Sequence, residues 1–323
     1  MREFHKVTVL GAGTMGPGIA QIMAIAGAEV VNYDIAEAAL EKAKVSVASG
    51  LEGFVNQGTL TAEQAKDCRT RISFTTDLAE AVKETDLVME AVVEKAEVKI
   101  SVYRQLDELL PEGVVIASNT SFLNIFELMP ERRLPDTIIA HWYSPATMVP
   151  LVELCPNEKT KEGIVDDVKE LLQKGGKMPV PMKKFIQGYI VNRLQMCLNQ
   201  EVYYLLDHGY CTPEDIDIAV RASFAPRAMV LGILQKTDFG GLNMTANNYR
   251  NKSYRMPEEI DMPKILQEHI DRGETGVMAG KGYYDYTGQD LGELLEKRDE
   301  QLHKAYQLEM EFFKQPLQNA GKG

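Results

Sequence analysis

The chain has 323 residues, 45% hydrophobic and 25% charged, with a net charge of −12. That balance is ordinary for a soluble globular protein, and the length favours about two domains of roughly 100–200 residues each. There is no basic stripe and no run of 18 apolar residues, so neither a nucleic-acid surface nor a transmembrane helix is expected.

The opening "MREFHKVTVLGAG" runs straight into a strand pattern. It lacks the long apolar core and cleavage site of a signal peptide, so a cytoplasmic protein is expected. Cys68, Cys155, Cys197 and Cys211 are scattered, with no metal or redox spacing, and buried reduced thiols are the better reading.

Val7, Val9 and Leu10 begin a short apolar strand. Gly11, Gly13 and Gly16 then form G-x-G-x-x-G at the entry to a helix rich in Ala, Ile and Met. Val30 and Val31 start a second strand that ends at Asp34. The glycine pattern alone is weak evidence, and a tight turn without a ligand would also produce it. Its context is the required one, with an acid 23 residues after the first glycine. Gly11 permits the turn, Gly13 lets the backbone approach a pyrophosphate, and Gly16 allows close helix–strand packing. The helix N-terminus presents free N–H groups and the positive dipole end. Asp34 would accept hydrogen bonds from ribose hydroxyls and repel a 2′-phosphate, which favours NAD over NADP.

Strand patterns recur at 86–93, 113–121, "TIIAHWY", "PLVELC" and "KMPVPM" (177–182), the last an edge strand because of its prolines. Helical patterns lie between several of them, "KAEVKISVYRQLDELL" being the clearest. The alternation implies an α/β, Rossmann-type, doubly wound parallel sheet with ligands beyond the carboxyl ends of its strands. Ser118, Asn119, Thr120, Ser121 and His141 close two of those strands. After "KKFIQG" the periodicity becomes helical, through Ile190, Leu194, Leu198, Val202 and Leu205, with Gly209 able to end that helix. Thr212, Pro213 and Asp215 look like an N-cap, first position and capping-box acid. Helices are expected to about residue 313, followed by a fraying "NAGKG". The boundary is placed near 183–188.

His141 and Glu153 interrupt two apolar runs. For a histidine in such a run, a satisfied core side chain is the default. The surrounding motifs, however, resemble one family. "VLGAGTMGPGIA", "EAVVEKAEVK", "ASNTS", "HWYSPATMVPLVEL", "GYIVNRL" and "GKGYYDY" follow in order. They are similar to segments of the L-3-hydroxyacyl-CoA dehydrogenases, whose relatives act on gulonate and carnitine.

The resemblance implies an NAD-binding domain over 1–185 and an all-α substrate and dimerisation domain over 186–323. It implies His141 as base, Glu153 as its orienting carboxylate, and Ser121 and Asn192 as substrate contacts. Gly11, Gly13, Thr14, Met15, Gly16 and Asp34 would bind NAD, joined by Glu94, Lys99, Asn119 and Ser144. The implied reaction is oxidation of an L-3-hydroxyacyl-CoA, or reduction of the 3-ketoacyl-CoA, in fatty acid metabolism by a cytoplasmic homodimer. A small non-CoA hydroxy acid, gulonate- or carnitine-like, is the alternative substrate, and a non-catalytic NAD-binding structural protein a further alternative. Ser144 replaces the family's asparagine, and Leu231-Gly232-Ile233-Leu234 replaces its Met-Gly-Pro-Phe. Residues 45 to 60 contain no Lys or Arg, where the family carries lysines for CoA. Weak CoA dependence is therefore expected.

Overall fold

The structure, a computed structural model, describes residues 2–252, 255–258 and 260–314; the "NAGKG" tail lies outside them. The chain forms two compact units, residues 1–190 and 191–323. Among the described residues no helix is long and apolar enough to cross a membrane.

In the first unit β1 (Lys6–Leu10) leads to α1 (Gly16–Ile25), β2 (Glu29–Tyr33), α2 (Glu37–Asn56), α3 (Ala62–Thr70) and β3 (Ile72–Thr75). Then come α4 (Leu78–Val82), β4 (Leu87–Glu90), α5 (Ala96–Leu109), β5 (Val115–Ser118) and α6 (Ile125–Leu128). The unit continues with β6 (Thr137–Trp142), β7 (Leu151–Pro156), α7 (Ile164–Lys174) and β8 (Met178–Pro181). The eight strands form one sheet in the order β3-β2-β1-β4-β5-β6-β7-β8.

Neighbouring strands are parallel except β6 and β7, which are antiparallel. This corrects the expectation of a wholly parallel sheet. The connection 143–150 is shorter than the dozen or so residues a parallel crossover needs, so β7 returns antiparallel. The strand β3 was not anticipated: "ISFT" is too short to show a period. The proline-bearing β8 does lie at the edge.

Both faces of the sheet are covered. Val7, Val9, Leu87, Met89, Val115 and Ala117 pack on one side with Ile19, Ile22 and Met23 of α1. Leu10, Val88, Ile116 and Ile139 pack on the other with Tyr103 and Leu106 of α5. Successive strand residues point to opposite faces, so two-sided burial makes the central strands read as continuous apolar runs. The strand order reverses between β1 and β4, which opens a crevice at their carboxyl ends.

The second unit contains α8 (Val191–Asp207), α9 (Pro213–Ala219), α10 (Ala225–Gly240), α11 (Leu242–Arg250), α12 (Lys264–Asp271) and α13 (Leu291–Lys314). The Thr212–Asp215 capping box starts α9 as expected. Gly232 interrupts α10 with φ 67° and ψ −169°. None of the described residues from 191 to 314 is buried. Leu194, Met196, Leu198, Ile233, Leu234 and Phe239 are exposed. All four cysteines are free thiols. Cys68 and Cys155 are buried as expected, but Cys197 is exposed and Cys211 half-buried, because α8 and the turn after it leave them uncovered.

Candidate active site

The glycine turn lies at the carboxyl end of β1. A methyl group on Gly16 would sit 1.8 Å from the Gly11 carbonyl oxygen, and one on Gly11 would sit 2.5 Å from the Ala91 oxygen. A methyl on Gly13 would meet nothing within 4 Å. Gly16 therefore closes the turn onto Gly11, Gly11 packs it against the residue after β4, and the middle glycine faces open space. No side chain caps the first turn of α1, whose N-cap is Met15. Thr14 beside it is exposed, and Met15 half-buried. Closed walls, an open middle glycine and an uncapped helix start fit a bound pyrophosphate.

The carboxylate of Asp34 ties the turn to the end of β2. One oxygen accepts the Ala12 N–H at 2.8 Å and the other the Ala36 N–H at 3.0 Å. Each oxygen retains a lone pair for a ribose hydroxyl. Asn32, fully buried in β2, donates its amide to the carbonyls of Val9 and Gly11 at 3.0 and 2.9 Å. Sequence reasoning missed Asn32. Its signal was a polar residue inside the run "VVNYD".

Beyond β4 and β5 a second set of bonds orders the loop that carries Ser121. One Glu94 oxygen accepts the Thr120 hydroxyl at 2.6 Å and the N–H groups of Ser121 and Phe122 at 2.8 and 3.0 Å. Burial opposes the charge on Glu94. The Thr120 and backbone hydrogen bonds, with Lys99 at 3.3 Å, outweigh it and hold the carboxyl below its usual range. Lys99 is 1% exposed and donates to both oxygens of Glu90, at 2.7 and 3.0 Å. Tyr103 also donates to Glu90, at 2.7 Å. Lys99 is thus sunk beneath Glu94 rather than presented at the surface of the crevice. Asn119 accepts the Trp142 N–H at 2.8 Å, pinning the end of β5 to the end of β6.

His141 and Glu153 are directly opposite each other in the antiparallel β6–β7 pair. Opposite residues point to the same face with Cβ atoms about 4.5–5.5 Å apart. That register accounts for their spacing of 12 residues. His141 Nδ1 lies 3.1 Å from Glu153 Oε2, and the two side chains are 3% and 1% exposed. The Tyr143 hydroxyl donates to the same Glu153 oxygen at 2.6 Å, and the Ile190 N–H to the other at 2.9 Å. The Tyr189 ring lies 4.6 Å from the imidazole, and its hydroxyl donates to the Thr120 carbonyl at 2.7 Å. Tyr189 has φ 52°, rare for a side-chain-bearing residue. Neither tyrosine was singled out from the sequence.

The exposed Ser144 opens the β6–β7 connection, which continues past α1: a methyl on Gly18 would lie 3.0 Å from Ala146 Cβ. Lys177 holds the far side of that connection by donating to the Val149 carbonyl at 2.8 Å. Burial pushes its ammonium down to about 8. The first unit thereby brings the glycine turn, the 119–122 loop, His141 and Glu153 to one end of its sheet. Asn192 belongs to the second unit, where it occupies the first turn of α8.

Comparison with known proteins agrees with this architecture. Residues 6–185 match the family model of the 3-hydroxyacyl-CoA dehydrogenase NAD binding domain, and residues 188–286 that of its C-terminal domain. The chain is 30% identical over 299 residues to 5-formyl-3-hydroxy-2-methylpyridine 4-carboxylate 5-dehydrogenase of Mesorhizobium japonicum, covering 92% of this chain and 96% of that protein. It is 32% identical over 290 residues to a probable 3-hydroxybutyryl-CoA dehydrogenase of Bacillus subtilis, covering 88% and 98%. A crystal structure of a 5-formyl-3-hydroxy-2-methylpyridine 4-carboxylic acid 5-dehydrogenase, described as an NAD+ dependent dismutase, superposes with a TM-score of 0.83 at 27% identity, covering 95% of this chain and 98% of that one. The chain belongs to the 3-hydroxyacyl-CoA dehydrogenase family of NAD-dependent oxidoreductases.

Proposed function

We propose that the enzyme interconverts a hydroxyl and a carbonyl group on a small organic acid, with His141 as the proton acceptor. The observation that carries this reading is the buried His141–Glu153 pair. A carboxylate only accepts hydrogen bonds, so Nδ1 carries the hydrogen and Nε2 keeps a free lone pair. Nε2 takes the hydroxyl proton as the carbonyl forms. Glu153 holds the tautomer and stabilises the imidazolium. Bound NAD would supply the acceptor for the hydride that leaves the hydroxyl-bearing carbon. Ser121 orients the reacting oxygen. Glu94, held in turn by Lys99, shapes the loop that carries Ser121, and Asn119 and Ser144 line the nicotinamide side.

The substrate we favour carries no CoA. Lys44 and Arg71, two nearby cations that could meet a CoA phosphate, are paired to Glu41 and Asp67. The Mesorhizobium relative is named for a pyridine carboxylate. An L-3-hydroxyacyl-CoA is the second reading. It is favoured by the Bacillus relative's name and by the exposed Lys42, Lys66 and Arg69. A panel decides: 3-hydroxybutyryl-CoA against free 3-hydroxybutyrate, gulonate, carnitine and 5-formyl-3-hydroxy-2-methylpyridine 4-carboxylate, each followed by NADH absorbance at two salt concentrations. We expect a free acid to have the highest kcat/KM, with little response of the thioester to salt. A thioester with micromolar KM that rises steeply with salt would establish the CoA reading, because phosphate contacts are charge-assisted and screened.

The working form we propose is a homodimer joined through the helices. An amphipathic helical unit with no buried residue among those described needs a partner for its apolar faces. Light scattering should give twice the 36.1 kDa chain mass. A monomer at micromolar concentration would refute this.

A further inference from the structure

We propose that Tyr143 is a positioning residue: by donating its phenol hydrogen to the oxygen that His141 uses, it holds Glu153 in place and divides the charge that Glu153 offers to the imidazole. The inference rests on the reading of His141 as the base. Tyr143 follows His141 by two residues, and its ring stands edge-on to the imidazole with centroids 4.6 Å apart. Its 2.6 Å bond to Glu153 Oε2 is shorter than the 3.1 Å contact from His141 Nδ1 to the same atom. An O–H donor at that distance from a carboxylate makes one of the stronger protein hydrogen bonds. A phenylalanine would supply the same ring contact. The hydroxyl is therefore the part of Tyr143 that reaches Glu153.

The phenol keeps its hydrogen. Burial, then the bond to Glu153 and the charge of that carboxylate, raise Tyr143 far above the ordinary tyrosine value. The other titratable groups around the imidazole behave similarly. Cys155, on β7 with Glu153, is pushed up to about 12 by burial. Tyr189, on the segment after β8, is raised by burial and by the charge of Glu94. Glu94 itself is occupied by Thr120, the 121–122 amides and Lys99. Glu153 is thus the carboxylate bonded to the ring, and Tyr143 competes with the imidazolium for it. Without the hydroxyl, Glu153 holds a charged imidazole more firmly, and His141 accepts the substrate proton only at higher pH.

The test is the pH profile of kcat/KM in the alcohol-oxidising direction, for the wild type, Tyr143→Phe, Glu153→Gln and the double variant. Tyr143→Phe should move the acid limb upward by about half to one pH unit, a fraction of what a hydrogen bond to a charged group is worth. NADH affinity should stay within about twofold, which reports an intact cofactor site. In the Glu153→Gln background the same change should leave the limb where it is, since no carboxylate remains to share. A limb that is unmoved or moves downward in Tyr143→Phe overturns the inference. So does an equal shift in both backgrounds, which would mark a role unconnected with Glu153. If His141→Gln retains turnover, the underlying base assignment fails instead. If that variant is inactive while Tyr143→Phe leaves the limb unmoved, only the role of Tyr143 is lost.

Discussion

Replacing His141 with glutamine is expected to lower kcat by about 10²-fold or more, the usual contribution of a positioned general base. Glutamine is similar in reach and polarity, so it can replace the imidazole as a donor to the buried Glu153 carboxylate, beside the Tyr143 hydroxyl and the Ile190 N–H. NADH binding should be nearly unchanged, because the glycine turn and Asp34 lie on β1 and β2, away from the β6–β7 pair. The measurement is steady-state kcat beside fluorescence titration of NADH. Wild-type kcat in His141→Gln sinks the assignment. A loss of NADH binding equal to the loss of rate would show that the residue supports the cofactor site instead.

The second large effect is expected at the glycine turn, where two alanine substitutions should behave differently. In Gly16→Ala the new methyl meets the Gly11 carbonyl at 1.8 Å, backbone against backbone, with no flexible side chain to give way. The turn between β1 and α1 must open. A cost on the order of 3 kcal/mol or more is expected, at the upper end for overpacking. NADH affinity should fall by about 10²-fold, because the amides that face the pyrophosphate move with the turn. In Gly13→Ala the methyl meets nothing within 4 Å, so stability should be close to wild type. Affinity should still fall, by roughly tenfold (about 1.4 kcal/mol), since the methyl occupies the space where the backbone meets the cofactor. Urea unfolding and NADH titration on both variants check this. Gly16→Ala with wild-type affinity, or Gly13→Ala with a large stability loss, contradicts the packing described for the turn.

What the sequence by itself determined about this protein was mostly local. The turn at Gly11, Gly13 and Gly16 is legible because each glycine answers a steric demand within one strand–turn–helix unit. The Thr212 and Asp215 capping box is legible because two residues, three positions apart, complete it. The α/β class is legible because strands buried on both faces leave unbroken apolar runs between helical periods. The tertiary structure decided what distant segments do to one another. Apolar periodicity carries no strand direction, so the antiparallel turn of β7 was not anticipated. Yet that register is what sets His141 opposite Glu153. Tyr143 and Tyr189 read as ordinary aromatic residues until β6, β7 and the segment before α8 converge on one carboxylate and one imidazole. Lys99, expected at the cofactor, is buried between Glu90 and Glu94. A charge can be buried there only because two carboxylates from the end of β4 and the loop beyond it meet it, and only the folded chain brings them together.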